Sequence, residues 1–141
     1  MPGIDYGFLD TLVGYALRRA QVAIGADFEA ALGPYDMTPQ RFCALVVIAG
    51  NGGITQSDLG HVLGIARSGV VQVVGTLVTR GWLAREAHAT DARAWTLRLT
   101  PAGRAHLAIV RRRVREHDRR IASRLSEARQ AELIGLLDRL G

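Results

Sequence analysis

The chain has 141 residues, 48% apolar and 22% charged, enough for one domain with a buried core. Its net charge is +5, and all 18 basic residues are Arg; this permits a polyanionic partner, although a GC-rich genome yields the same bias. One Cys excludes an intramolecular disulfide, the longest apolar run (42–50) falls far short of the roughly 20 residues of a membrane helix, and Asp5 and Asp10 without a basic n-region argue against a signal peptide, so a cytoplasmic location is expected.

Residues 5–33 predict one long helix, with Phe8, Leu12, Tyr15, Ala16, Ala20, Ala23 and Phe28 at three- and four-residue spacing and Gly33-Pro34 as its stop. Thr38-Pro39 has the cap-plus-proline form of a helix start. Phe42, Leu45, Val46 and Ala49 are expected on the inner face of this second helix, which Gly50-Asn51-Gly52-Gly53 ends. That glycine cluster lacks the Gly-Lys-Ser/Thr ending of a phosphate loop and reads as a turn. The third helix opens at 54–59, with Thr55 as cap, Asp58 in the capping-box position, and Leu59, Val62 and Leu63 inward. Gly64-Ile65-Ala66 is a tight turn. The fourth helix runs from about Arg67 to Arg80 on a stripe of Val70, Val73 or Val74, and Leu77. Residues 83–88 and 93–99 read as strands, since Trp95, Leu97 and Leu99 alternate with Ala94, Thr96 and Arg98; residues 89–92 turn between them. Thr100-Pro101 starts a fifth helix ending near Arg124, and Ser126 a sixth carrying Leu133, Leu136, Leu137 and Leu140.

This order predicts a mainly α fold with a small β-hairpin wing: a winged helix-turn-helix flanked by N- and C-terminal helices. The chain reads as a single domain, 1–141. Residues 34–103 form the winged lobe, and the stretches 1–33 and 104–141 carry leftover apolar stripes best buried against a second copy. A two-fold homodimer follows as the commonest closed solution.

In such a lobe the fourth helix enters a DNA major groove. It presents Arg67, Ser68, Gln72 and Thr76 away from its buried stripe, together with Gly69, Val71 and Gly75. Gln suits adenine, Arg guanine, and Ser or Thr phosphate or base. Gly75 is either a site of close backbone approach or a composition accident. Thr55, Gln56 and Ser57 stand at a helix N-terminus, where free N–H groups favour phosphate. Arg93 at the wing tip, with Arg85 and His88 on the preceding strand, can grip the minor groove; alternatively Asp91 and Arg93 pair only with each other. The run Arg111-Arg112-Arg113-Val114-Arg115, with Arg119 and Arg120, reads as a solvated, salt-bridged face because Glu116 and Asp118 interleave it.

These motifs resemble the MarR family of bacterial transcriptional regulators over nearly the whole chain. Asp91-Ala92-Arg93 followed by Leu97-Arg98-Leu99-Thr100-Pro101-Ala102-Gly103 looks like the family's wing signature of Asp-x-Arg and Leu-Thr-x-x-Gly. Leu77-Val78-Thr79-Arg80-Gly81-Trp82-Leu83 looks like its recognition-helix exit. The family often has Arg at the positions of Gln72 and Thr76. The resemblance implies a homodimer on double-stranded DNA at a palindromic operator, usually a repressor, released by a small phenolic or aromatic acid.

Two effector mechanisms fit. An aromatic acid can meet Tyr15, Arg18 and Arg19 on the first helix, Tyr35 in the loop, and Arg41 and Cys43 on the second. Alternatively Cys43 senses oxidants, although its apolar surroundings favour a buried, inert thiol. His61, His88, His106 and His117 are scattered without metal-ligand spacing, and no nucleophile elbow occurs, so neither an enzyme nor a cofactor is expected. A different class stays open: a winged-helix module for protein contact or non-specific DNA binding.

Overall fold

The computed structural model describes residues 3–141. A 3-10 turn (Gly7–Thr11) leads into α1 (Val13–Leu32), then α2 (Pro39–Gly50), β1 (Ile54–Thr55), α3 (Gln56–Leu63), α4 (Arg67–Thr79), β2 (Leu83–Ala87), β3 (Trp95–Leu99), α5 (Pro101–Ile121) and α6 (Glu127–Leu137). The sheet is antiparallel in the order β1-β3-β2, with Leu83 opposite Leu99 and Ile54 opposite Leu97.

One device starts four of the helices. The hydroxyl of Thr38 accepts the Arg41 N–H at 3.2 Å, Thr55 that of Asp58 at 3.0 Å, Thr100 that of Gly103 at 3.0 Å and Ser126 that of Arg129 at 3.3 Å. Each satisfies an N–H that has no partner inside its helix. Gly64, at φ 64°, ends α3, and the chain bends by 112° into α4. This is the crossing expected of a helix-turn-helix. The core gathers Leu45, Ile48, Leu59, Val74, Leu77, Leu97 and Val110, all but inaccessible to solvent.

Two glycines are set by close approach. A Cβ on Gly60 of α3 would stand 2.7 Å from Val70 Cγ2, so its absence lets α4 lie against α3. A Cβ on Gly103 would fall 2.1 Å from the Trp82 carbonyl oxygen. The chain leaving β3 is thus pressed against the chain entering β2, and the Thr100 hydroxyl donates to the Gly81 carbonyl beside them. The indole of Trp82 stacks on the His106 ring at 3.9 Å, and His106 Nε2–H donates to the Tyr35 carbonyl. The wing is thereby tied to α5.

The structure departs from sequence expectation at several points. The first helix is not continuous over 5–33. Leu12 is extended at φ −98°, ψ 125°, separating the 3-10 turn from α1. Asp5 accepts the N–H of Gly7, itself at φ 52°, and the Thr11 hydroxyl folds back to the Phe8 carbonyl. These local bonds compete with helix propagation. The inner face of α2 is Ala44, Leu45 and Ile48, whereas Phe42 and Val46 are half-buried and Ala49 is exposed. Cys43 is exposed, not buried, because it falls on the far side of that helix. Val62 is 61% exposed, since α4 covers the Leu59–Gly60 side of α3 instead. Trp95 is 48% exposed: β1 reaches only Thr96 and Leu97, so the distal hairpin projects beyond the core. The wing loop spans 88–94, since the N–H groups of Thr90 and Asp91 both donate to His88 Nδ1. The fifth helix stops at Ile121, ahead of Arg124.

Candidate nucleic-acid interface

Outside the core, α3, the start of α4 and the wing enclose one open cleft of about 650 Å³. Thr55, Gln56 and Ser57 line it from the N-terminus of α3, Arg67 from α4, and Arg93 from the wing. Five of the candidate DNA residues, distant in sequence, therefore meet around one concavity. Ser68 and Gln72 are exposed on α4 beyond it, and Thr76 is half-buried with its hydroxyl donating to the Gln72 carbonyl at 3.0 Å. Arg85 is exposed on β2.

The wing tip is held by backbone contacts rather than by an ion pair. The Arg93 N–H donates to Asp91 Oδ1 at 3.0 Å. Among the described residues no salt bridge holds Arg67, Arg85 or Arg93. Their guanidiniums are available to an anion, with the five-donor geometry that suits phosphate or guanine. His88 stands apart from this set, because its Nδ1 already serves the loop. Sequence alternation grouped Trp95 with Leu97 and Leu99 on one face of the strand, yet it lines the same cleft beside Arg93; its position next to the wing tip was the available signal.

The effector candidates do not share one pocket within this chain. Tyr15 packs near Tyr6, and Arg19 lies over both rings while pairing with Asp10 at 3.1 Å. Arg18 is exposed on α1, as Cys43 is on α2. Arg41 is held by Asp36, through the side chain at 3.1 Å and the carbonyl at 3.2 Å, while Arg80 approaches the same carboxylate at 2.7 Å. Tyr35 faces α5, where its hydroxyl accepts from Arg113 Nε at 2.9 Å.

A further polar cluster, which sequence reasoning missed, joins α1 to α5. His117 is 5% exposed, lies edge-on to Phe28, and donates from Nδ1 to Asp27 Oδ2 at 2.5 Å. Arg120 Nη2 reaches the same oxygen at 3.0 Å. Hydrogen bonds from Arg120 and then His117 outweigh partial burial and hold the Asp27 carboxyl down at about 2. Only periodicity placing a histidine on the buried stripe of α5 could have signalled it. The basic run is correspondingly only part salt-bridged: Arg113 pairs with Glu116 and Arg120 with Asp27, whereas Arg111, Arg112, Arg115 and Arg119 form no ion pair among the described residues. Among the described residues no cluster could hold a metal ion, and no single helix is long and apolar enough to cross a membrane.

A MarR family model matches residues 35–94, from the turn after α1 to the end of the loop between β2 and β3. The chain is 36% identical over 136 residues to a putative transcriptional regulatory protein for the hcr operon of Thauera aromatica, covering 96% of this chain and 82% of that relative. A probable transcriptional regulator from Pseudomonas aeruginosa superposes with a TM-score of 0.88 at 34% identity, over 94% of this chain and 99% of that one. The repressor CouR, solved on a 23-mer DNA duplex, superposes with a TM-score of 0.92 at 33% identity, over 97% of each chain. Solved with p-coumaroyl-CoA, CouR gives 0.88 at 31% identity, over 97% of this chain and 96% of that one.

Proposed function

The chain belongs to the MarR family of transcriptional regulators, and from that premise we propose that it is a homodimeric, sequence-specific DNA-binding repressor released by a small aromatic acid. The observation that carries the reading is the cleft where Gln56, Ser57, Arg67 and Arg93 converge beside the exposed polar face of α4. In this reading residues 34–103 form the DNA-binding lobe. Ser68, Gln72 and Thr76 meet base edges, Thr55, Gln56 and Ser57 meet phosphate at the α3 N-terminus, and Arg93 with Arg85 grips the backbone beside the groove. The CouR–duplex complex supports it, being a close structural match.

Residues 1–33 and 104–141 form the dimerisation part. Phe8 is 75% exposed, and Val13, Val22, Ile134 and Leu140 are also largely exposed; apolar surface on this scale calls for a second copy. A dimer sets two recognition helices on two half-sites. The CouR complex with p-coumaroyl-CoA, a phenolic acyl group on a carrier, supports an aromatic effector.

Selection of duplexes from a random library, followed by salt titration on the winner and a scrambled control, tests the reading. An enriched inverted repeat with half-sites about 10 bp apart is expected. Equal affinity for both duplexes, with a steep salt slope on each, would reduce the protein to a non-specific binder.

A further inference from the structure

Val71 stands in the middle of α4 with 51% of its surface exposed, and among the described residues it is the one large apolar side chain that this helix leaves open. The buried stripe of Val70, Val73, Val74 and Leu77 occupies the other side. Val71 shares the outward face with Arg67, Ser68 and Gln72, all exposed. Its branched side chain loses χ1 freedom against the preceding turn, which makes Val a weaker helix former than Ala. The same stiffness fixes where its methyl groups point, so little entropy remains to be lost when they are covered.

Access to those methyl groups is open along the helix. Ser68, three residues back, is small, and a Cβ on Gly75, four residues on, would meet nothing within 4 Å. A flat base edge can therefore close on Val71. The polar residues of the face read by hydrogen bonds: Arg suits guanine, Gln adenine, and Ser a base or a phosphate. The 5-methyl group of thymine is the one apolar feature of the major-groove edges, and only an apolar side chain can take it up. A protein partner would need a patch, whereas Val71 stands among polar residues and glycine, and the extended apolar surface lies on the 3-10 turn, α1 and α6. Val62 is exposed too, but it belongs to α3, and the first helix of such a unit crosses the backbone rather than the base edges.

We propose that Val71 is a specificity-determining residue that reads thymine, its methyl groups closing over the 5-methyl of one thymine in each operator half-site. The proposal rests on the reading of this protein as a sequence-specific regulator and deepens it.

The test uses the full chain and the duplex selected from the random library. Each thymine of the half-site is replaced in turn, in both half-sites, by deoxyuridine, which removes the methyl group and keeps the base pair. Wild type and Val71→Ala are titrated on every duplex, with helicity, melting and dimer mass measured on the same preparations. Alanine is the better helix former at an exposed position, so the variant should fold. One deoxyuridine position is expected to weaken the wild type about fourfold per half-site, as burial of one methyl group implies, and so roughly fifteenfold for the two together. Val71→Ala should be weakened on the parent duplex and lose nothing further at that position.

Half-sites without thymine, or no position sensitive to deoxyuridine, would overturn the proposal. So would a sensitivity that persists in Val71→Ala, which would assign the methyl group to another residue or to duplex shape. Equal losses by Val71→Ala on operator and scrambled DNA would overturn it as well. An operator indifferent to methyl removal sinks this proposal alone, whereas a library that yields no operator sinks the regulator reading and this proposal with it.

Discussion

Gly103 and Gly75 are both helical glycines, and alanine should move stability in opposite senses at the two. At Gly103 the new methyl meets the Trp82 carbonyl, which cannot retreat without shifting the strand behind it. Gly103→Ala should destabilise by about 3 kcal/mol, the upper end of overpacking effects, as read by urea unfolding. At Gly75 nothing lies within 4 Å, so Gly75→Ala should stabilise by about 1 kcal/mol. If its duplex affinity nevertheless falls, the glycine admits the backbone to the groove; unchanged affinity makes it a composition accident. Arg93 and Gln72 separate grip from reading. Arg93→Ala should weaken all duplexes and lower the salt slope by about one. Gln72→Ala should relax preference at one base step by roughly 1–3 kcal/mol; equal losses on operator and random DNA would remove it from the readers. The sequence made the caps legible, because Thr-Pro and Ser-Glu are local signals. It misled at Trp95, Val62 and Cys43. Periodicity ranks the faces of an element but does not say where the neighbouring layer ends.

Among the elements, the tie between α1 and α5 carries a pH dependence. Asp27 is held at about 2 against its ordinary 3.8, by Arg120 foremost and then His117. A depressed carboxyl stabilises the fold fully above its unfolded value. That contribution fades as pH falls from about 4 towards 2, where the folded group takes up its proton. Asp27→Asn should therefore lower the melting temperature at pH 5 to 7, and the gap to wild type should close by pH 2. A gap unchanged across that window would show that the carboxylate charge plays no part. The helix-turn-helix and hairpin were legible because each combines a strong period with turn residues at both ends. β1 was not, since two residues show no alternation and its partner β3 is distant in sequence. The break at Leu12 was also hidden, because the apolar spacing runs straight through it and local hydrogen bonds decide the conformation.

At the scale of the molecule, α6 has no buried residue, and Ile134 is 62% exposed. A lone chain would present this surface to water, so full-length protein should scatter light as a dimer. Its melting temperature should rise with concentration, because association favours the folded state. A chain ending before Ser126 should scatter as a monomer, and a dimeric truncation would move the interface elsewhere. The winged lobe could be foreseen in outline because its contacts are mostly local. The convergence of Gln56, Arg67 and Arg93 on one cleft could not, because it depends on a 112° bend and a projecting hairpin.

The single unbroken run of α5 has a mechanical consequence. Its first turn is locked to the wing through Gly103 and the Trp82–His106 stack, and its last turns to α1 through His117 and Arg120. The two clamps hold opposite ends of a stiff rod of 21 residues, roughly 30 Å long. A tilt of about 3° at one clamp moves the other by about 1.5 Å, the size of shift that separates alternative states of packed helices. A small change in seating at the α1 end would thus be delivered to the hairpin as a displacement large enough to spoil its fit, with no element having to melt in between.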